Sequence, residues 1–418
     1  MDLEESVLKQ NVAVMDLGTS KITVLIGSRG INNSICIEGI GVCDYDGYSG
    51  GEWLGIEYLG SAIAQAIDSA RNSARVDIDK LYVGVPCEFS MCEVKDVAIS
   101  LNKKRCVTSE DVEALFARGD EYADDPDWSV INIYPIYYTL DDNRKLIVPE
   151  GMVSTRLGGS ISYMLGQRDF IDIIDIAAKG AGIPETEFVS VPLAETLFLF
   201  DDSKRDGCVM LADIGALGTA LSIGRGDGIC RQYYFPWGGE CITSALAESL
   251  EISPEEAEKL KRKVILSLDP NYTLASSETG IMLTEYTVES GGEKHSYRVS
   301  EVNSVVANEI NRFARYIQKV LAVCDYKYPE YIPLSITGGG LNYIRGAAEY
   351  LADCLECDVE RVQPNLPMLD LPHLSAPFGL MDMVLASEDG GASMFGKLKR
   401  WFTARKSRRS DKNKNSGR

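Results

Sequence analysis

Two short segments carry the residue types that can hold a polyphosphate. The first is Asn11-Val-Ala-Val-Met-Asp16-Leu-Gly18-Thr19-Ser20-Lys21-Ile-Thr-Val-Leu-Ile-Gly27: an apolar run, an Asp-x-Gly-Thr turn and a second apolar run. That order predicts a strand-turn-strand hairpin. A glycine turn lets consecutive backbone N–H groups converge on an anion with no Cβ in the way. Gly18, Thr19 and Ser20 are therefore candidates to cradle phosphates, with Lys21 adding charge. Asp16 is suited to holding Mg²⁺ through water, since that ion keeps most of its hydration shell. An ordinary hairpin with a polar turn would read the same way, so this segment alone leaves both meanings open.

The second segment, Cys208-Val-Met-Leu-Ala-Asp213-Ile-Gly215-Ala216-Leu-Gly-Thr219-Ala-Leu-Ser-Ile-Gly224, repeats the device. Two such turns facing each other would clamp a triphosphate, with Asp213 joining Asp16 as a water-mediated Mg²⁺ ligand. Similarity at so long a period predicts two related domains, not a short-period solenoid. Gly338-Gly339-Gly340 before a helix offers bare backbone for an adenosine, and Gly239 is a further candidate contact. Glu258 and Lys261 share a helix face and are candidates for ribose and base, or else form a surface ion pair.

The elements that must position these residues follow from periodicity. Apolar residues at helical spacing predict helices over 57–74, 108–122, 170–179, 253–263, 301–321 and 342–354. Thr108 with Asp111 three residues later marks one helix start. Strands are predicted at 81–86, 130–140 and 333–337, and a polar connecting region surrounds Gly291 and Gly292. Residues 87–167 read as a separate α+β insertion.

With 45% hydrophobic and 25% charged residues in 418, the chain is expected to fold into two or more ordinary globular domains. The acidic N-terminus does not resemble a secretory signal, and no run approaches the ~20 apolar residues needed to span a bilayer. Eleven scattered cysteines read as reduced thiols, and Cys354-x-x-Cys357 has no second pair to complete a zinc site. A net charge of −20 argues against nucleic acid as a partner of the main body. The charge is uneven, because residues from Gly391 onward are strongly basic.

Within that tail, Met394, Phe395, Leu398, Trp401 and Phe402 fall on one helical face, while Lys397, Lys399 and Arg400 take the other. This pattern predicts an amphipathic helix lying in an anionic membrane surface, with each basic residue contributing ~1 kcal/mol. A disordered basic tail or a nucleic-acid arm would need no apolar stripe.

The two hairpins, the Glu258–Lys261 helix and the triple glycine occur in the order and spacing of the actin, sugar kinase and heat-shock chaperone superfamily. More narrowly the chain resembles the bacterial cell-division FtsA family, on Thr108-Ser-Glu-Asp-Val112, Ile133-Tyr-Pro-Ile-Tyr-Tyr138 and Gly346-Ala-Ala-Glu. The resemblance implies an α/β, actin-like two-lobe fold (duplicated ribonuclease-H-like domains) with an inserted α+β subdomain and a C-terminal amphipathic helix. Its implied division is 1–86 as the first part of lobe one, 87–167 as the insertion and 168–192 as the return to lobe one. Residues 193–386 form lobe two with a partner-binding subdomain and an end returning to lobe one. Residues 387–392 are a linker and 393–418 the membrane-targeting tail. It further implies ATP with Mg²⁺ in the interlobe cleft, self-association into filaments, and tethering of the FtsZ C-terminal peptide. The location would be the cytoplasmic face of the membrane at the division site. The resemblance places Asn308 and Arg312 on the face of the helix that would receive the peptide.

Two departures from the family pattern carry expectations. Leu217 adds bulk beside the second phosphate turn, which predicts weakened ATP binding or a repositioned turn. Val191 stands where actin-like ATPases carry a water-orienting Glu or Gln before Pro-x-Ala, so turnover is expected to be no faster than a few per minute. The competing functions on this fold are a sugar kinase, a chaperone ATPase, and a pilus or secretion scaffold.

Overall fold

The computed structural model describes residues 11–30, 34–122, 125–266, 284–365 and 370–388. Residues 387 and 388 of the predicted 387–392 linker close helix Ser375–Glu388, and the rest of that linker and the amphipathic tail lie outside the described residues.

Two five-stranded sheets share one plan. In the first, the hairpin Val12–Leu17 and Lys21–Arg29 continues antiparallel into Ile35–Asp44, while Lys80–Val85 and Glu185–Ser190 add in parallel on the other side. In the second, Val209–Ile214 and Thr219–Arg225 continue into Gly228–Phe235, with Leu334–Thr337 and Val359–Arg361 in parallel. Even the register repeats: Leu17 lies opposite Ile22, and Ile214 opposite Thr219. The central strands are continuous apolar runs because helices cover both faces of each sheet, leaving no solvent side to demand alternation.

Helix Ile56–Ala74 shows how closely these layers approach. Its buried face is Leu59, Ala62, Ile63, Ala66, Ile67 and Ala70, the i, i+3, i+4 stripe of an amphipathic helix. Alanines there meet glycines on the strand beneath: a Cβ on Gly41 would fall 2.0 Å from the Ala66 carbonyl oxygen. Helix Ser375–Glu388 returns from the second lobe to the first, burying Phe378, Leu380 and Met381 in the first lobe's core and pairing Asp382 with Arg29 at 2.9 Å.

Between the lobes' strands is an inserted sheet ordered Ser90–Cys106, Val153–Gln167, Trp128–Thr139, Lys145–Leu146, covered by helix Ser109–Gly119. That helix starts at a complete capping box, Thr108 and Asp111 each accepting from the other's backbone. The insertion touches both lobes. Its side chains join the first lobe's core, while Ile136 enters the core of the second, and Ser162 Oγ donates to Ile229 O at 2.7 Å.

Two expectations need correction. The helix predicted from Asn342 begins only at Ala347, because Gly346 is left-handed (φ 80°) and Leu266 N–H donates to Arg345 O at 2.7 Å, holding 341–346 as a turn. The polar region around Gly291 and Gly292 is a hairpin of Glu285–Ser290 and Glu293–Arg298; both glycines have positive φ, as a two-residue type I′ turn requires.

Candidate functional site

The duplicated hairpins aim their turns at one another. Gly18 N–H donates to Lys21 O at 3.0 Å, and Gly215 N–H donates to Gly218 O at 2.9 Å, so the turns are built alike. They also touch, since the Leu217 N–H donates to Thr19 Oγ1 at 3.1 Å across the interlobe gap. Tyr45 and Tyr48 brace the first turn by donating to Gly18 O and Leu17 O at 2.8 and 2.7 Å.

Beside this contact lies a cavity of about 480 Å³, within the range of small-molecule and cofactor sites. Asp16, Gly18, Thr19, Ser20 and Lys21 line it from the first lobe, and Asp213, Gly215, Ala216, Gly239, Glu258 and Lys261 from the second. Gly338, Gly339 and Gly340 form a further wall. That wall is backbone packed on backbone. Gly340 N–H donates to Ile214 O at 2.7 Å, Gly239 N–H to Gly215 O at 3.0 Å, and a Cβ on Gly340 would fall 2.3 Å from the Gly215 oxygen.

The floor is acidic. The side chains of Asp16, Asp213 and Glu195 make no hydrogen bond or ion pair among the described residues, and Lys21 is the cation that bears on Asp16. Burial, then the Asp213 charge, pushes Asp16 up to about 7, with Lys21 pulling it down. Burial likewise pushes Asp213 up to about 6. A bare polyphosphate would be repelled here, whereas one carrying a divalent cation would supply the missing positive charge. Among the described residues no group of three or more His, Cys, Asp or Glu side chains could hold a metal ion.

Other predicted residues have different surroundings. Thr219 is fully buried and donates to Trp237 O at 2.6 Å, so its hydroxyl faces the second lobe's interior and not the cleft. Leu217 does not line the cavity, and its turn is closed by the same backbone bond as the turn of the first hairpin. Glu258 and Lys261 pair with each other at 2.5 Å, and Lys261 also donates to Gly239 O and Thr243 Oγ1, tying their helix to the cleft wall. Asn308 and Arg312 line a second cavity of about 490 Å³ on helix Val299–Val323, with Glu309, Asn311, Arg315, Gln318 and Cys354. The Cys354 thiol donates to Asn311 Oδ1 at 3.1 Å, and all eleven cysteines are free. Met394, Phe395, Lys397, Leu398, Lys399, Arg400, Trp401 and Phe402 lie outside the described residues.

Sequence reasoning missed Glu88, Glu195, Arg262, Tyr343 and His373, which also line the cleft. Tyr343 and His373 hydrogen-bond to each other beside Gly339, with the Arg262 guanidinium 5.9 Å from the Tyr343 ring centre. Burial, Lys21 and Arg262 hold His373 below the ordinary imidazole value. Glu195 did carry a signal, being the one charge in the apolar run Val191–Leu199.

The family described as cell division protein FtsA matches residues 210–379, and the SHS2 domain inserted in FtsA matches residues 91–164. Cell division protein FtsA of Enterococcus faecalis is 25% identical over 84% of this chain and 78% of its own length. The Bacillus subtilis protein of the same name is 23% identical over 88% and 82%, and that of Neisseria meningitidis 21% identical over 94% and 97%. Among solved structures, the PilM-PilN type IV pilus biogenesis complex superposes with a TM-score of 0.56 at 17% identity, covering 90% of this chain and 99% of that one. MreB5 of Spiroplasma citri bound to ADP gives 0.52 at 11% identity, covering 91% and 99%. At such identities these two establish the actin-like fold alone. Because the second lobe and the insertion are each matched by this family's own descriptions, and its members align along most of both chains, the chain belongs to the FtsA family of cell division proteins.

Proposed function

We propose that the protein is a division adaptor that binds Mg-ATP between its lobes, polymerises, and tethers the FtsZ ring to the cytoplasmic face of the membrane at the division site. The observation that carries this reading is the Leu217 N–H to Thr19 Oγ1 bond, which brings two identically built phosphate turns to one cavity. Gly18, Thr19, Ser20 and Lys21 would hold phosphates from one side, and Gly215 and Ala216 from the other. Asp16 and Asp213 would orient the water shell of Mg²⁺, and Gly338–Gly340 would receive the nucleoside. The cation would neutralise phosphate charge over this acidic floor. Val191, at the cleft wall, can neither donate nor accept a hydrogen bond, which favours slow turnover and a nucleotide used as a polymerisation switch.

The groove at Asn308 and Arg312 suits an acidic peptide such as the FtsZ tail, because Arg312 and Arg315 project from the same helix face. The basic amphipathic tail from residue 393 would supply reversible membrane attachment, and a filament presenting many tails would make it durable. The domain limits expected from the sequence remain part of this proposal, with 87–167 as a subdomain of its own.

The test is sedimentation with anionic liposomes, with and without ATP and FtsZ, comparing the full chain with one ending at Gly391. Binding is expected for the full chain alone, and FtsZ should co-sediment only with it. Equal liposome binding by both chains would refute the anchor. A pilus-scaffold reading gains support from likeness to PilM, but that likeness is one of fold.

A further inference from the structure

Glu195 is a buried carboxylate that the assignment above does not use. It is the fifth residue of helix Val191–Leu199, is 1% exposed, and lines the interlobe cavity. Its Oε1 is buried with no hydrogen-bond partner, an arrangement that costs stability and calls for a functional explanation. The helix that carries it is held firmly. Ser190 Oγ caps it by accepting from Leu193 N–H, and Gly379 of the returning helix packs so closely that a Cβ there would lie 3.1 Å from Glu195 N.

Val191 precedes Glu195 by four residues and lines the same cavity, so the two share one helix face. Helical side chains tilt toward the helix N-terminus and cover the turn that precedes their own Cα. A glutamate at 195 therefore extends back over the turn where Val191 leaves a short, apolar side chain. The carboxylate lines the same cavity as Asp16 and Asp213, the side where phosphates are placed above.

We propose that Glu195 is a catalytic residue that orients the water attacking the γ-phosphate and takes its proton. This rests on ATP occupying the cleft. In the step, the water oxygen bonds to the γ-phosphorus and the bond from that phosphorus to the β–γ bridging oxygen breaks. ADP leaves with the electron pair, Glu195 receives the proton, and inorganic phosphate is released. A glutamate reaching from one helical turn away supports the slow turnover that an apolar residue 191 alone would not sustain.

The experiment compares the full chain with Glu195→Met, which keeps length and burial but can neither orient water nor take a proton. Three quantities are measured: equilibrium Mg-ATP binding, single-turnover phosphate release with protein in excess, and the melting-temperature rise given by Mg-ADP with aluminium fluoride over Mg-ADP alone. The variant is expected to bind Mg-ATP within about threefold of the parent, to release phosphate at least tenfold more slowly, and to lose the extra rise from aluminium fluoride. The last readout reports the pre-organised attack geometry without turnover. Unchanged phosphate release and an unchanged fluoride effect in the variant would overturn the role of Glu195 and leave ATP binding standing. Failure of the parent to bind Mg-ATP would overturn both, and a parent that binds Mg-ATP but releases no phosphate would overturn the catalytic role alone.

Discussion

Replacing Asp16 by Asn isolates the electrostatic character of the cleft. Asp16 lies on an acidic floor beside Asp213, and its carboxyl is raised from 3.8 to about 7. A group raised in the native state adds nothing unfavourable below its unfolded value, and costs stability progressively as pH rises through its native value. Ionising such a carboxyl costs ~4 kcal/mol at ~1.4 kcal/mol per pH unit, and water in the open cleft should screen this to about 2 kcal/mol. Urea denaturation in EDTA at pH 5, 6.5 and 8 should therefore show the parent chain losing roughly 1–2 kcal/mol across that range. Asp16→Asn should lose clearly less and be the more stable protein at pH 8. Mg-ATP should restore stability to the parent at pH 8 and do little for the variant, which lacks the charge that anchors the hydrated cation. Parallel pH profiles for the two proteins would refute the reasoning, because Asp16 would then be ionised in the folded state at no cost.

Two further predictions concern packing and an ion pair. Gly340→Val places a side chain against the Gly215 carbonyl and should abolish nucleotide binding while destabilising the fold by about 2–4 kcal/mol, measured by nucleotide titration and denaturant unfolding. Asp111→Asn leaves an oxygen to accept from the Thr108 N–H but breaks the two-bond pair with Arg105, both at 2.6 Å, and should cost about 1–3 kcal/mol at pH 7. The Arg105 guanidinium holds Asp111 well below the usual carboxylate range, so this stability is present above pH ~4 and disappears on acidification, and the variant and parent should converge in acid.

The parts of the molecule legible in the sequence were those whose signal is local. Apolar runs broken by Asp-x-Gly turns disclosed both hairpins, and the 3.6-residue stripe from Leu59 to Ala70 disclosed the helix on the first sheet. Features set by tertiary register were not legible. Thr219 reads like a phosphate-binding threonine, yet its register partner in the first hairpin is the buried Ile22, and the residue equivalent to Thr19 is Ala216. The late start of helix Ala347–Leu355 depends on backbone pairing of Arg345 with the distant Leu266. His373 and Tyr343 meet only because the chain between the lobes folds back over the glycine turn, Gly338 N–H reaching Pro372 O at 3.3 Å. No local pattern encodes such contacts, which arise when separate elements pack.

Matching turns from two lobes are proposed to close on one nucleotide. A crystal structure with a non-hydrolysable ATP analogue and Mg²⁺ examines it most directly. The phosphates should lie between residues 18–21 and 215–218, a hydrated cation should stand near Asp16 and Asp213, and the adenosine should rest against Gly338–Gly340. A nucleotide bound elsewhere, or phosphates held by one lobe while the Thr19 to Leu217 contact stays shut beneath an empty cleft, would contradict it.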